Sequence, residues 1–257
     1  MKVVILAGGA QSTINNEYEG IPKPMVDIGG RPLLWHIMKH FSQYGMNEFI
    51  ICGGYRVDMI KEYFMDYYIY ASDITVDLQS NTIQIHKKVT EDWKVTVVDT
   101  GLMTTPAQRI SMIEKYIGDE TFVVTYGDCL TDVDMAEVYA MHEEKSKLAT
   151  VVLAKPTGRN QLLPMGTDGK MILEDKRNIQ DDYAWINADC FVFEKGIFEY
   201  LKDGIELEKM LPVKLAQKNE ITFYKHSGFW NAIETRRDLA NVEKLWNERI
   251  APWFKRM

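Results

Sequence analysis

Residues 2–13 read KVVILAGGAQST and join an apolar run to a pair of glycines. The run at residues 2–6 is short, uninterrupted and rich in β-branched side chains, which predicts a buried strand. Gly8 and Gly9 have no Cβ, so the backbone and its N–H groups can approach a ligand such as a phosphate. The loop is neither G-x-G-x-x-G nor a Walker loop, and glycine pairs after strands also occur as simple turns. Both interpretations stay open for this stretch alone.

A lysine lies between two prolines at residues 22–25, which read PKPM. Pro22 and Pro24 restrict the backbone on either side of Lys23 and so fix the direction of its side chain. The strand, the glycine loop and this cation together favour a nucleoside triphosphate. We expect it at the carboxyl end of the strand, where open α/β sheets bind their ligands.

Strand and helix patterns alternate along the chain, which predicts a mostly parallel sheet with right-handed crossovers. The predicted strands lie at residues 2–6, 48–52, 93–99, 121–125, 148–153, 170–174, 185–193 and 221–224, with a separate hairpin at 73–88. The predicted helices lie at residues 32–41, from 57 to about 70, and at 105–117, 197–201, 207–217 and 236–249. No repeat or linker divides the sequence. We therefore expect one domain over residues 1–257, with a nucleotide half at about 1–150 and an acceptor half at about 151–257.

Composition narrows the class of protein. The net charge of −7 argues against a general nucleic-acid or membrane-surface binder, because a phosphate backbone requires a basic face. Three widely spaced cysteines, Cys52, Cys129 and Cys190, favour a reducing compartment without a disulfide framework or structural zinc. No stretch of about 18 apolar residues and no signal-peptide pattern occurs. A cytoplasmic protein is expected.

Two sets of polar residues are candidates for metal binding. Asp128 follows the strand predicted at residues 121–125, where a carboxylate can hold a nucleotide-bound Mg²⁺. An aspartate at this place can equally cap the next helix, and local sequence leaves both interpretations open. His36 and His40 lie four residues apart on a predicted helix, but without an evident third ligand they are better interpreted as ordinary helix histidines.

Several motifs occur in one order along nearly the whole chain. They are LAGG (6–9), PKPM (22–25), IGGRPLLWHIMKHF (28–41), VDTG (98–101), TYGD (125–128), GFW (228–230) and APW (251–253). In these motifs the sequence resembles the bacterial sugar-phosphate nucleotidyltransferases, and among them the members that use CTP and glucose 1-phosphate.

The resemblance implies a fold and a reaction. The fold is a Rossmann-like α/β fold of the GT-A-like type, with a mostly parallel mixed sheet flanked by helices. In the reaction, a phosphate oxygen of a phosphorylated acceptor attacks the α-phosphorus of CTP and pyrophosphate leaves. The resemblance also implies Mg²⁺ as cofactor, a homo-oligomer, and a role in making nucleotide sugars for a capsule or lipopolysaccharide.

The resemblance also assigns residues to roles. The nucleotide would be bound by Leu6, Ala7, Gly8, Gly9, Ser12, Thr13, Lys23, Thr100, Gly101, Arg109 and Gly127. The acceptor would be bound by Asn160, Gln161, Lys176, Asn187 and Asp189. Lys23, Asp128 and Lys176 would be catalytic, and Asp128 and Glu234 would hold the metal.

The chain departs from the family pattern around both ligands. Thr13 replaces an arginine that neutralises triphosphate, and Glu234 replaces an aspartate. Asn160-Gln161 replaces a Phe-Gly pair, and Ala188-Asp189 replaces a Gly-Gly pair. Losing one pre-positioned donor costs on the order of 3 kcal/mol. Three functions therefore remain open: cytidylyl transfer to a sugar 1-phosphate, the same transfer to a non-sugar phosphate such as phosphoglutamine, or a nucleotide-binding relative with weak turnover.

Overall fold

The computed structural model describes residues 1–9, 14, 20–87, 90–155, 163–165, 170–171, 184–202 and 204–254. Ser12, Thr13, Asn160, Gln161 and Lys176 lie outside the described residues, so their assigned roles stay predictions.

The strands are β1 (Lys2–Ala7), β2 (Asp27–Ile28), β3 (Arg31–Pro32), β4 (Glu48–Gly53), β5 (Asp73–Asp77), β6 (Thr82–Lys87), β7 (Lys94–Asp99), β8 (Phe122–Tyr126), β9 (Cys129–Thr131), β10 (Ala149–Ala154), β11 (Leu163–Pro164), β12 (Ala184–Phe193), β13 (Ile221–His226) and β14 (Trp230–Ala232). The α-helices are α1 (Leu33–Ser42), α2 (Val57–Met65), α3 (Tyr67–Tyr70), α4 (Pro106–Met112), α5 (Glu114–Ile117), α6 (Met135–Lys145), α7 (Phe198–Leu201), α8 (Met210–Gln217) and α9 (Arg236–Asn247).

One mixed sheet forms the centre of the molecule, in the order β13-β10-β12-β8-β1-β4-β7. Strand β12 runs antiparallel to β10 and β8, and the other pairs along this path are parallel. The short strand β11 pairs with β12. The prediction of a mostly parallel mixed sheet is therefore confirmed.

Strand β1 shows why its sequence is continuously apolar. Val3, Ile5 and Ala7 pack into the core on one face of the sheet, while Val4 and Leu6 pack into the core on the other. A strand covered by helices on both faces has no solvent-exposed side, so an alternating pattern is not selected. The glycine pair Gly8-Gly9 follows β1 directly and therefore lies at the carboxyl edge of the sheet.

Among the short strands that were not predicted, β9 and β14 shape the site. Strands β9 and β14 form an antiparallel ribbon in which Ala232 pairs with Cys129. Just beyond it, the Ile233 N–H donates to the Asp128 carbonyl at 2.8 Å. This pairing joins the chain after β8 to the chain before α9, and so brings residues 128 and 234 into one neighbourhood.

Two of the predicted helices are divided in the structure, and the helix predicted at 207–217 begins at Met210. The helix predicted from 57 to about 70 is divided into α2 and α3, and the helix predicted at 105–117 is divided into α4 and α5. The hairpin predicted at 73–88 is present as β5 and β6, which pair only with each other among the described strands. None of the described helices is both long and apolar enough to cross a membrane.

His36 is a structural residue of helix α1. Its Nε2–H donates to the Ile28 carbonyl at 2.9 Å, and the Trp253 Nε1–H donates to Nδ1 at 3.3 Å. Burial lowers the pKa of His36 to about 4, although the hydrogen bond to Ile28 acts in the opposite direction. These contacts use both ring nitrogens, which agrees with an ordinary helix histidine and not with a metal ligand.

The buried neutral His36 predicts a loss of stability in acid. Because its folded pKa lies below the unfolded value, the unfolded chain binds a proton first, and stability falls from about pH 6.5 to pH 4. The shift corresponds to about 3 kcal/mol. We expect the His36→Gln variant to lose less stability than wild type over this range in urea titrations, whereas the exposed His86→Gln variant follows wild type. An NMR titration that shows a charged His36 ring at pH 5.5 would contradict this.

Candidate active site

A cavity of about 540 Å³ lies at the carboxyl edge of the sheet. Its lining comes from the ends of β1 and β8, the segment around Lys23, and the loop before α4. The lining residues are Leu6, Ala7, Gly8, Gly9, Lys23, Pro24, Leu102, Thr104, Pro106, Arg109, Tyr126, Gly127 and Asp128. This is the position at which open α/β sheets bind ligands. Eight of the predicted site residues line this one cavity: Leu6, Ala7, Gly8, Gly9, Lys23, Arg109, Gly127 and Asp128.

Lys23 is held at the cavity wall by a short turn. A 3-10 helix at Lys23–Met25 follows Pro22, and the Met25 N–H donates to the Pro22 carbonyl at 2.8 Å. The Nζ atom of Lys23 donates to Oδ2 of Asp128 at 2.9 Å. Burial alone lowers the pKa of Lys23, but the charge and hydrogen bond of Asp128, together with the charge of Glu234, raise it above its ordinary value. Lys23 is thus a charged lysine at the cavity.

Asp128 is not a helix cap. The N-terminus of α6 is capped by Asp134, whose Oδ1 accepts from the N–H groups of Ala136 at 2.9 Å and Glu137 at 3.2 Å. Asp128 instead faces the cavity with Lys23. The capping interpretation is therefore wrong, and the cavity position favours the metal-binding one.

Glu234 follows β14 and is exposed. Its carboxylate lies near enough to act electrostatically on both Lys23 and Asp189. The β9–β14 ribbon described above accounts for this position. Asp128 and Glu234, which are far apart in sequence, are thus parts of one acidic region.

Asp189 also belongs to this acidic region. It lies in β12 with φ of 54°, a left-handed conformation that few residues other than glycine, asparagine and aspartate adopt readily. The Cys129 Sγ–H donates to Oδ2 of Asp189 at 3.4 Å and lies 3.6 Å from Oδ1 of Asp128. Burial, then the charge of Asp128, and more weakly the charge of Glu234, raise the pKa of Asp189 to about 7.

Asn187 offers a free donor on the same strand. Its Oδ1 accepts from the Asp189 N–H at 2.9 Å. Its Nδ2 is buried, and no hydrogen-bond acceptor for it lies among the residues the structure describes. A buried donor without a partner costs free energy, so this one is a reasonable contact for a bound hydroxyl or phosphate oxygen.

Arg109 joins the loops around the cavity. Its side chain is buried, with 5% of its surface exposed, and its two terminal nitrogens donate to five oxygen atoms. These acceptors are the Thr100 hydroxyl (2.6 Å) and the carbonyl oxygens of Gly8 (2.6 Å), Gly101 (2.8 Å), Gly53 (3.2 Å) and Leu102 (3.3 Å). The guanidinium therefore fixes the glycine loop against the ends of β4 and β7. Its contact with nucleotide stays a prediction.

Two of the cavity glycines, Gly8 and Gly127, are required by close packing. A Cβ on Gly8 would overlap the Arg109 guanidinium, and a Cβ on Gly127 would lie 2.9 Å from Pro24 and 3.1 Å from the Leu6 carbonyl. Thr100 is fully buried behind the cavity and, like Gly101, holds Arg109 without lining the cavity. These two residues position the loop in the structure, and their predicted role in nucleotide binding stays a prediction.

The residues present fit a divalent metal held partly by its substrate. Carboxylate oxygens suit a hard cation such as Mg²⁺, which keeps open positions for phosphates. Among the described residues, no group of three or more His, Cys, Asp or Glu side chains is arranged to hold a metal by itself. These carboxylates would therefore suit a metal that takes its other ligands from a bound triphosphate.

Three features of the site were missed from the sequence. They are the Lys23–Asp128 ion pair, the hydrogen bonds of Cys129 to two aspartates, and the loop contacts of Arg109. Each includes a contact between residues that are distant along the chain, so periodicity carries no signal for it. The position of Cys129 directly after Asp128 was the only available hint.

Comparison with known proteins agrees with this geometry. The family described as nucleotidyl transferase matches residues 2–248. The glucose-1-phosphate cytidylyltransferase of Salmonella typhimurium is 38% identical over 255 residues, which cover 98% of each chain. A probable glucose-1-phosphate cytidylyltransferase of Bacillus subtilis is 39% identical over 259 residues, which cover 98% of this chain and 99% of the relative.

Solved structures share the fold at low sequence identity. A putative glucose-1-phosphate thymidylyltransferase from Bacillus anthracis has a TM-score of 0.74 at 16% identity and covers 95% of this chain and 94% of its own. The inositol-1-phosphate CTP transferase from T. maritima has a TM-score of 0.68 at 16% identity, with 96% and 95% covered. The expected GT-A-like α/β fold is thereby confirmed. Members of this family generally use a divalent metal. The match over nearly the whole chain, and the two relatives above 30% identity, show that the chain belongs to the nucleotidyl transferase family and is a nucleotidyltransferase.

Proposed function

We propose that the protein transfers the cytidylyl group of CTP to glucose 1-phosphate and releases pyrophosphate. The observation that carries the proposal is the single cavity in which Lys23 and Asp128 lie beside the glycine loop of β1. The full-length likeness to glucose-1-phosphate cytidylyltransferases supports CTP and this acceptor. The same likeness does not favour phosphoglutamine or another non-sugar phosphate.

The reaction needs alignment and charge neutralisation more than covalent chemistry from the protein. An oxygen of the acceptor phosphate forms a bond to the α-phosphorus of CTP, and the bond from that phosphorus to the β-phosphate oxygen breaks. Lys23 would contact the phosphates and stabilise the charge that develops there. The open donor of Asn187 would hold the acceptor, and Lys176 would contact the acceptor phosphate.

The Lys23–Asp128 ion pair would be exchanged when substrate binds. In the structure each group neutralises the other at 2.9 Å. A metal-bound triphosphate would supply a new partner for each group: phosphate oxygens for the Lys23 ammonium, and the cation for the Asp128 carboxylate. The pair thus keeps both groups at the cavity wall before substrate arrives.

We propose Mg²⁺ as the metal and Asp128 and Glu234 as its protein ligands. Bound there, Mg²⁺ would neutralise triphosphate charge and help to orient the α-phosphorus. We further propose that residues 1–150 bind mainly the nucleotide and residues 151–257 mainly the acceptor.

An assay of pyrophosphate release separates the three functions. Purified protein with CTP and Mg²⁺ is given a panel of sugar 1-phosphates and phosphorylated amino-acid derivatives, with UTP and GTP as control nucleotides. We expect release with CTP and glucose 1-phosphate. Release with phosphoglutamine alone would support the non-sugar acceptor. No release with any acceptor, together with retained CTP binding, would support a relative with weak turnover.

Removal of the metal tests the cofactor. We expect a chelator to abolish pyrophosphate release, because the charge of the triphosphate is then poorly neutralised. Of the two cationic side chains that line the described cavity, Arg109 is held by protein carbonyls, which leaves Lys23. Added Mg²⁺ should restore the rate. Full activity in the presence of excess chelator would contradict the metal site.

A further inference from the structure

Asp189 and Asp128 are connected through one thiol. The Sγ atom of Cys129 lies 3.4 Å from Oδ2 of Asp189 and 3.6 Å from Oδ1 of Asp128. Cys129 is buried, and its thiol is the donor in both contacts. One hydrogen is thus shared between two carboxylates, while the other oxygen of Asp128 accepts from Lys23.

The place of Asp189 in β12 is an unusual one for a carboxylate. A charge is costly to bury unless it is paired. Among the described residues, the contacts that act on Asp189 are the thiol and the negative charges of Asp128 and Glu234. Its left-handed backbone would be less strained with glycine. We therefore expect Asp189 to have a function that compensates for its buried charge and its strained backbone.

We propose that Asp189 is a positioning residue of the metal site: it shares the Cys129 thiol with Asp128, adds a negative charge behind that ligand, and so strengthens the binding of a divalent cation at Asp128 and Glu234. The inference rests on the metal site proposed above. Asp189 acts through its neighbour and not as a direct ligand, since the described acidic groups do not form a ready metal cage. Partners behind a metal ligand orient it and tune its affinity.

The test measures metal binding without nucleotide or acceptor, so it does not depend on the choice of substrate. The full chain is titrated with Mn²⁺ alone at pH 8.5, and free Mn²⁺ is followed by electron paramagnetic resonance. We expect Asp189→Asn to raise the dissociation constant about tenfold or more. Asparagine tolerates the left-handed conformation, and Asp189→Gly, which also relieves the backbone, serves as the second variant.

Two controls separate positioning from a merely structural role. Asp134→Asn makes the same chemical change at the N-cap of α6, where asparagine is also a good cap. The dissociation constant of this variant for Mn²⁺ should therefore equal that of wild type. Cys129→Ala should weaken Mn²⁺ binding, and Cys129→Ser, whose hydroxyl donates, should restore it. In the metal-free protein, Asp189→Asn should keep or raise the melting temperature because it removes a repulsion, whereas a structural role predicts a lower one.

The outcomes distinguish this inference from the proposed metal site. If Asp128→Asn abolishes Mn²⁺ binding and both Asp189 variants bind as wild type does, the inference is overturned and the metal site stands. If Asp128→Asn also binds as wild type does, the metal site is overturned, and the inference falls with it.

Discussion

Replacing Asp128 with asparagine is expected to lower the turnover rate on the order of a thousandfold, which corresponds to about 4 kcal/mol. The amide cannot supply the negative oxygen that holds the cation against the triphosphate. In the described part of the chain Asp128 forms an ion pair with partly exposed Lys23 and a weak contact with the Cys129 thiol, and such ion pairs contribute about 1 kcal/mol or less to stability. The variant should therefore fold normally, and the loss should appear as slow pyrophosphate release.

The matched control is Asp134→Asn, which lies in the segment that follows β9 and should retain the wild-type rate. Circular dichroism and thermal melting of both variants check that the fold is intact. An Asp128→Asn enzyme with unchanged turnover would remove Asp128 from the metal site.

The second large effect is expected from Arg109→Ala. The change leaves two buried acceptors, the Gly8 carbonyl oxygen and the Thr100 hydroxyl oxygen, without the guanidinium that now reaches them. We expect a loss of about 4 kcal/mol in the free energy of unfolding, since each buried acceptor left unpaired costs about 1–3 kcal/mol. The Michaelis constant for CTP should rise about tenfold or more, because the glycine loop is no longer fixed.

A double-mutant cycle with Gly8→Ala tests the contact directly. The added Cβ would overlap the Arg109 guanidinium, so Gly8→Ala should destabilise the wild type but cost little in the Arg109→Ala background. Gly9→Ala is the stability control, because its Cβ meets no described atom within 4 Å. Additive effects of the two changes would show that Arg109 and Gly8 are not coupled.

The regular elements could be predicted because local pattern determines them. Strand β1 is apolar on both faces, and α1 has a helical pattern directly after Pro32, so both were placed within one residue at each end. The ribbon of β9 and β14 has only three residues in each strand and forms through long-range pairing. No local pattern of two-residue or 3.6-residue period can mark strands so short, which is why they were missed.

Part of the lining of the cavity was predicted from the sequence, but the contacts between its residues were not. Resemblance to the family named Lys23, Asp128 and Glu234, and the structure brings these residues into one region. It also assigned a nucleotide contact to Arg109, which stays a prediction, but it did not indicate that the terminal nitrogens of Arg109 hold protein carbonyls. Burial and hydrogen bonding depend on how distant loops meet, and the order of residues does not contain this information.

The most direct test of the metal site is a crystal structure with Mn²⁺ and a CTP analogue that cannot be cleaved at the α-phosphorus, recorded with anomalous scattering. The account predicts one anomalous peak bonded to both the Asp128 and Glu234 carboxylates and to the triphosphate, with Lys23 moved from Asp128 to a phosphate oxygen. An intact Lys23–Asp128 pair, with the metal bound elsewhere, would contradict it.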